Sequence, residues 1–408
     1  MVWIIAWKNI WRNRMRSLVV VMAIAFGLLG GVFSSAVLQG SSDQRVREAV
    51  SRETSHIQMH NPGYIEDNEV QYFIDGNVEK LASVLDTSDA IAAWSPRVKF
   101  MAMAGSANAG TGIMVTGIDP EKEKKVTEIH RLICDTCGGW FGKSKGLPVV
   151  VGEALVKKLN VHLGSKIVLT FQDMKGNLTG GAFRICGIYR TSNSVFDEMN
   201  IFVTRADILP LLAADAGLSH EIVILLKDAG MVDHEQDLLK RSFPSLLVRN
   251  WKEIDPILGM MNDFLDLWLY LFMGIILLAL GFGIINTMLM AILERTRELG
   301  MLAAIGMNKT KIFLMIMLES VFLSLTGGIT GIIMGTLLTW YTSHTGINLG
   351  SLAVGFEKIG YNPMLYPSLD FIFFINLTLL VILTGILASV YPARQALRLR
   401  PADAIRNE

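Results

Sequence analysis

The chain has 408 residues, of which 51% are hydrophobic and only 18% charged, whereas about 25% of the residues in ordinary globular domains are charged. Lysine plus arginine and aspartate plus glutamate balance at 37 each, so net charge indicates neither a nucleic acid nor an acidic partner. The three cysteines, Cys134, Cys137 and Cys186, are too few for a disulfide scaffold.

The N-terminal segment 1–16 has the pattern of an amphipathic helix, with apolar and basic residues on different faces. The apolar residues are Trp3, Trp7, Ile10 and Trp11, and the basic residues are Lys8, Arg12 and Arg16. One interpretation is a cytoplasmic helix in the membrane interface, with tryptophans at headgroup depth and basic residues towards anionic lipid. The other is a basic flank that only orients the first span.

Four apolar stretches are long enough to cross a hydrocarbon core about 30 Å thick, which needs roughly 20 helical residues. They lie at residues 17–40, 267–293, 312–340 and 369–391. A buried helix of a soluble protein rarely lacks a polar face over such a length. We therefore predict an α-helical membrane protein with four transmembrane helices.

Lysine and arginine near the span ends predict the orientation. They precede the first span, separate the second from the third and follow the fourth, whereas loop 341–368 contains only Lys358. We predict that both termini, segment 294–311 and tail 392–408 are cytoplasmic. Segment 41–266 and loop 341–368 then lie on the far side of a bacterial inner membrane.

Segment 41–266 is long enough for a folded domain. Runs such as 78–85 and 231–241 have helical patterns, and 166–171 and 183–189 read as short strands between turn residues. We predict a periplasmic α+β domain between the first and second spans. Cys134 and Cys137 could form a small disulfide, remain free thiols or bind metal, and an oxidising compartment favours the disulfide.

The sequence contains no HExxH motif, and we predict no catalytic residue and no metal site. Residues 138–144 end like a phosphate-binding loop, but position 137 is cysteine where that motif needs glycine. The predicted far-side location also separates this run from ATP. Any ATP-driven work therefore needs another chain.

A charged and then apolar run follows the second span. It comprises Glu294, Arg295, Arg297 and Glu298, then Leu299, Gly300, Leu302, Ala303 and Ile305, and closes with Gly306. We predict a short amphipathic helix whose apolar face is formed by Leu299, Leu302, Ala303 and Ile305. It could lie flat on the membrane or fill a groove on a cytosolic partner.

The run 294–306 resembles the E-x-x-R-E-[LI]-x-x-L-x-A-[IL]-G pattern of the FtsX-like permease superfamily, the type VII ABC transporters. The tail segments 391–396 and 400–406 are similar to the end of that family, and 149–155 with 163–167 resemble the MacB-type periplasmic core. The resemblance covers essentially the whole chain. It implies that 294–306 is the coupling helix seated on a separate, LolD-like dimer of ABC ATPases, which binds ATP and Mg²⁺, with no cofactor on this chain.

The third span carries Gly327, Gly331 and Gly335 at intervals of four residues, so they form one small-residue stripe. Such stripes allow close helix approach, either between two copies of the permease or within one subunit. Glu319 in the same span is costly if unpaired. We interpret Glu319 as a structural or coupling residue that faces protein or the headgroup zone, not as a proton carrier.

Three functions fit the resemblance. The first is lipoprotein release, in which this chain and a second permease copy or paralogue extract lipoproteins from the inner membrane and pass them to a LolA-like periplasmic carrier. The second is MacB-type export of a periplasmic peptide, toxin or drug. The third is FtsX-like regulation of a cell-wall hydrolase. The layout favours LolC and LolE, because the chain has no fused ATPase and a similar length.

Overall fold

The computed structural model describes residues 2–12, 14–64, 69–74, 78–107, 109–142 and 146–397. Phosphate-loop-like residues Lys143 and Ser144, and the tail segment 400–406, lie outside this part of the chain. The chain divides into two compact units. The first comprises the described parts of Met1–Ser42, Asp263–Ile347 and Leu365–Glu408, and the second those of Asp43–Asn262 and Asn348–Met364.

The α-helices are numbered in chain order. They are α1 Val2–Arg12, α2 Arg14–Ala49, α3 Val78–Thr87, α4 Pro120–Val126, α5 Glu153–Leu159, α6 Ser194–Met199, α7 Arg205–Leu211, α8 Val232–Ser242, α9 Trp251–Ile254, α10 Pro256–Glu294, α11 Thr296–Ala304, α12 Lys309–Thr345, α13 Ala353–Lys358 and α14 Phe371–Leu397. A π-helical turn, Val50–Thr54, continues α2, and 3₁₀ turns lie at Ile129–Leu132, Ala229–Met231 and Gly350–Leu352.

The strands are β1 Ile57–His60, β2 Ile91–Gly105, β3 Gly110–Ile118, β4 Ile133–Gly138, β5 Leu147–Gly152, β6 Lys166–Gln172, β7 Leu178–Tyr189, β8 Asn200–Thr204, β9 Glu221–Leu226, β10 Leu247–Asn250, β11 Ile347–Asn348 and β12 Met364–Leu365. Burial alternates along β6, as expected for a strand with one face towards a core.

Four helices of the described chain are long and apolar enough to cross a membrane: Arg14–Thr54, Pro256–Glu294, Lys309–Thr345 and Phe371–Leu397. The prediction of four such helices is confirmed. Each of the four extends past its predicted apolar stretch at one or both ends, because a helix continues through polar residues until its backbone is capped. Within the first unit they pack around side chains such as Leu28, Val32, Met273 and Leu377.

The second unit is an α+β domain with a mixed sheet, as predicted. Strands β2, β3, β8, β5, β7 and β6 pair in that order, and β6 also pairs with β2, so that the ring closes. Phe100, Ile113, Ile167 and Phe183 are fully buried in its core. The sheet continues from β2 through β9 and β1 to β10, and a separate core with Ile57, Met59 and Leu85 covers that extension.

Candidate coupling site

The run after α10 forms the short helix that its pattern predicts. Arg295 makes the turn between α10 and α11, and α11 spans Thr296–Ala304. Gly306 has a φ of +94°, and the Met307 amide donates to the Leu302 carbonyl at 3.0 Å. This bond and the left-handed glycine are the signature of a Schellman-type helix end. Gly306 therefore stops α11 before α12 begins.

One side of α11 belongs to the core of the first unit. Leu299 is 7% exposed, Gly300 is buried, and Leu302 packs against the same buried cluster. The side chain of Ala303 lies outside the described part of the structure. The apolar residues Leu299 and Leu302 thus stabilise the fold and do not form a free docking surface.

The opposite side of α11 is open. Met301 is 48% and Ile305 86% exposed, and Arg297 is exposed with no ion pair to any other described residue. These three residues are four apart, so they share one side of the helix and its C-terminal turn. We call Arg297, Met301 and Ile305 the open face. The predicted single apolar face that joined Ile305 to Leu299 and Leu302 is wrong, because Ile305 follows the end of α11 and points away from the core.

The other charged residues of the run are paired within the chain. Arg12 of α1 donates to Glu298 at 2.6 Å, and Arg295 donates to Glu298 at 3.1 Å. Arg16 of α2 pairs with Glu294. The hydrogen bond from Arg12, and then that from Arg295, hold the pKa of Glu298 below its ordinary value. Arg297 is therefore the charge of this run that remains available to a partner.

Glu319 of α12 belongs to the same group of paired charges, because it contacts Arg295. Its Oε1 accepts a hydrogen bond from the Asn9 side-chain amide at 2.6 Å, and its Oε2 lies 3.2 Å from Arg295 Nη1. Glu319 is 7% exposed, so the carboxylate is buried but paired. An adjoining cavity of about 40 Å³ has room for little more than water, so the contacts of Glu319 connect helices and leave little space beside them.

Sequence reasoning missed Asn9, Arg12 and Arg16 as members of this site. The sequence pattern predicted that Arg12 and Arg16 face anionic lipid. In the structure, Arg12 pairs with Glu298 and Arg16 pairs with Glu294. Their spacing of three to four residues in the sequence was a usable signal. The acidic partners were not identifiable, because nearly three hundred residues separate them from the arginines.

The glycine stripe of α12 packs against α2 of the same chain. A Cβ on Gly327 would lie 2.8 Å from Ile24 Cβ, and one on Gly335 would lie 2.9 Å from Val32 Cβ. Gly331 approaches the backbone of Ala25. Of the two interpretations of the stripe, packing within one subunit is the one observed. A contact between two permease copies through these three glycines is incompatible with it, since α2 occupies the face.

The structure joins Cys134 and Cys137 in a disulfide on β4, which lies at one edge of the mixed sheet. Cys186 is a half-buried free thiol, 3.3 Å from the Val149 carbonyl, and burial raises its pKa. Among the residues that the structure describes, no group of three or more histidine, cysteine or acidic side chains is placed to hold a metal.

Four membrane-length helices, an α+β domain within the same chain and a short helix with an open face are the features of a multi-span membrane protein. Residues 270–401 match the family described as FtsX-like permease C-terminal. Over that region the chain carries an FtsX-like permease domain, and the chain is similar to ABC transporter permeases that include LolC and LolE.

The relatives cover different shares of the chain. An ABC transporter permease of Methanocaldococcus jannaschii is 28% identical over 66% of this chain and 65% of its own. The lipoprotein-releasing system protein LolC of Neisseria meningitidis is 20% identical over 96% of this chain and 94% of its own. The macrolide export ATP-binding/permease protein MacB of Chlorobium luteolum is 36% identical over 31% of this chain, but only 16% of that protein is matched.

A solved structure of the periplasmic region of MacB from Actinobacillus actinomycetemcomitans overlaps 53% of this chain and 98% of its own. The overlap has 14% sequence identity and a TM-score of 0.35.

Proposed function

We propose that this chain is the permease subunit of an ATP-driven type VII transporter in a bacterial inner membrane. Both termini and α11 face the cytoplasm, and the α+β domain faces the periplasm. The open face of Arg297, Met301 and Ile305 carries the proposal, because two exposed apolar side chains beside an unpaired cation suit a groove on a cytosolic protein. That partner is a LolD-like dimer of ABC ATPases, which binds ATP and Mg²⁺.

The transport step is mechanical. Closure of the ATPase dimer moves α11, and the movement passes through α10 and α12, the helices on either side of it, to the periplasmic domain. The cargo is a lipoprotein that leaves the inner membrane for a LolA-like carrier, with a second permease copy or paralogue completing the transporter. Support for this cargo comes from the alignment with LolC, which extends over nearly the whole length of both proteins.

The N-terminal helix α1 is proposed to lie in the cytoplasmic membrane interface. Trp3, Trp7 and Trp11 are exposed at 65%, 44% and 44%, and they recur every four residues along one side. Rings of this kind favour the headgroup region. Lys8 of the same helix is also exposed, and it is a cation available there to anionic lipid.

Charge reversal at the open face tests the coupling role. The full chain with Arg297→Glu should lose copurifying ATPase from native membranes, or retain it with hydrolysis that no longer depends on cargo. Lys309→Glu is the matched control, because Lys309 is an exposed cation in the same inter-span region but outside α11. Equal ATPase recovery and equal transport for Arg297→Glu, Lys309→Glu and the unchanged chain would refute the coupling role.

Depletion of the chain tests the cargo. If lipoproteins are the cargo, their mature forms should accumulate in the inner membrane as the chain is lost. Export by a MacB-type system is the second candidate, favoured by the 36% identity to MacB over 126 residues. Unchanged lipoprotein sorting together with loss of a secreted peptide, toxin or drug would replace the first candidate by the second.

A further inference from the structure

Three polar side chains from α1 and the start of α2 meet three acidic residues around α11. Asn9 bonds Glu319 and Arg12 bonds Glu298, each at 2.6 Å, and Arg16 pairs with Glu294. The three donors are spaced by three and four residues. We call these three contacts the row. Two of its donors lie on α1 and the third lies in the first turn of α2.

The row is attached to one end of α11. Glu294 and Glu298 flank the first residues of α11, and Arg295, in the turn between them, bonds both Glu298 and Glu319. Glu298 also lies in the first turn of the helix, where a carboxylate interacts favourably with the helix dipole. The turn that leads into α11 and the first residues of this helix are thus held by ionic contacts with α1, α2 and α12.

We propose that Asn9, Arg12 and Arg16 are positioning residues that orient the open face of α11 towards its partner. The inference rests on the proposed function, because the open face has a role only if a partner binds it. Through this row, the interfacial helix α1 sets the orientation of the coupling helix. A change in the position of α1 at the membrane surface therefore changes the presentation of Arg297, Met301 and Ile305.

The alternative role for these arginines is that of membrane-flanking cations that only orient the first span. That role requires a positive charge near the span, but no particular acidic partner. A charge swap between Arg12 and Glu298 distinguishes the two roles. The double variant Arg12→Glu, Glu298→Arg restores the ion pair with the two charges exchanged. The exposed Arg14 supplies the matched control, since it is an equally close basic residue without an acidic partner among the described residues.

The first experiment measures amide hydrogen exchange of segment 294–306 in the full chain without any partner. The chain is reconstituted in nanodiscs of phosphatidylethanolamine and phosphatidylglycerol. Arg12→Glu and Glu298→Arg should each accelerate exchange by about two- to fivefold, the range expected for breaking one half-exposed ion pair. The double variant should return to within about twofold of the unchanged chain, and Arg14→Glu should leave exchange unchanged.

Glu319→Ala should have a larger effect, about tenfold or more, because it removes a buried carboxylate from Arg295 and Asn9. If a single charge reversal prevents folding, Arg12→Gln and Glu298→Gln break the same contact without repulsion. Unchanged exchange in these single variants, or a double variant no closer to the unchanged chain than the singles, would overturn the proposal.

The second experiment repeats the copurification of ATPase from native membranes with the same variants. Arg12→Glu should reduce the recovered ATPase activity, and the double swap should recover most of it. If exchange responds as expected but ATPase recovery never changes, even with Arg297→Glu, then the row orders α11 while the proposed coupling function is wrong. If Arg297→Glu abolishes recovery but Arg12→Glu does not, the coupling function stands and the positioning role is wrong.

Discussion

A Cβ added to Gly331 of α12 would lie 2.7 Å from the backbone carbonyl oxygen of Ala25 in α2. This distance is shorter than real Cβ contacts, and the neighbouring atom is backbone, which cannot move aside as a flexible side chain does. The close approach is the reason for the glycine stripe. It brings α12 near enough to α2 for backbone and side chains to pack directly, the main source of helix association in lipid.

Gly331→Ala should therefore destabilise the first unit by about 1–3 kcal/mol, even though alanine is the better helix former. Unfolding of the full chain in mixed micelles measures the effect. Gly283→Ala in α10 is the control, because a Cβ there meets no atom within 4 Å. It should be neutral or slightly stabilising. Equal stability of Gly331→Ala and Gly283→Ala would contradict the observed packing.

Arg97 connects two buried acidic residues in the α+β domain. Its guanidinium donates to Glu123 at 2.6 Å and to Glu221 at 2.8 Å, and all three side chains are at most 4% exposed. Among the described residues, Arg97→Met leaves Lys99 as the basic side chain that pairs with Glu221, and it leaves Glu123 without an ion pair. The cost should be about 3–5 kcal/mol, as for a broken buried pair.

The control for Arg97→Met is Lys124→Met, which breaks an exposed pair with Glu121 and should cost at most about 1 kcal/mol. Hydrogen exchange in the β2 and β9 peptides of the full chain reports both changes. A loss of protection no greater for Arg97→Met than for Lys124→Met would show that the buried network contributes little to stability.

His60 should make the α+β domain less stable in mild acid. The side chain is buried against Tyr64, and burial lowers its pKa from 6.5 to about 4. As pH falls from about 6.5 to about 4, the unfolded chain binds a proton that the folded chain does not. Stability contributed by the neutral imidazole is therefore lost across this window, by about 3 kcal/mol in total.

His60→Leu should flatten the pH dependence of unfolding between about pH 6.5 and pH 4, whereas His162→Leu at an exposed site should retain it. Glu221 does not titrate in this window. Burial works to raise its pKa, but Lys99 and Arg97 outweigh burial and hold the pKa at about 2. Denaturant midpoints at several pH values provide the measurement, and an unchanged slope in His60→Leu would exclude His60 as the cause.

The Cys134–Cys137 disulfide should contribute only modestly to stability. It closes a loop with a sequence separation of 3, and the loop-entropy relation assigns such a short crosslink about 2 kcal/mol. Because Cys134 is exposed, dithiothreitol should reduce the bond and lower the melting temperature of the full chain by a few degrees. The Cys134→Ser, Cys137→Ser double variant should show no response to the reductant, and Cys186→Ser should respond like the unchanged chain.

The four apolar helices could be predicted from the sequence, because a segment in lipid must satisfy its own backbone hydrogen bonds and so reveals itself by length and hydropathy. The same holds for α11, where charge at one end, apolar spacing and Gly306 are all local signals. Local patterns also indicated strands in the α+β domain. They did not indicate that β6 pairs with both β7 and β2 and thereby closes a ring.

Tertiary structure alone decided which faces meet. Hydropathy and spacing describe one helix at a time, so the stripe of Gly327, Gly331 and Gly335 was compatible with two partners until α2 was seen to occupy it. For the same reason, the contact between Arg12 and Glu298 could not be predicted. The two residues are far apart in the chain, and they meet only because the helices pack together. The sequence by itself determined that a short charged helix lies between two spans. Only packing decided that Leu299 and Leu302 are buried and that Arg297, Met301 and Ile305 remain open.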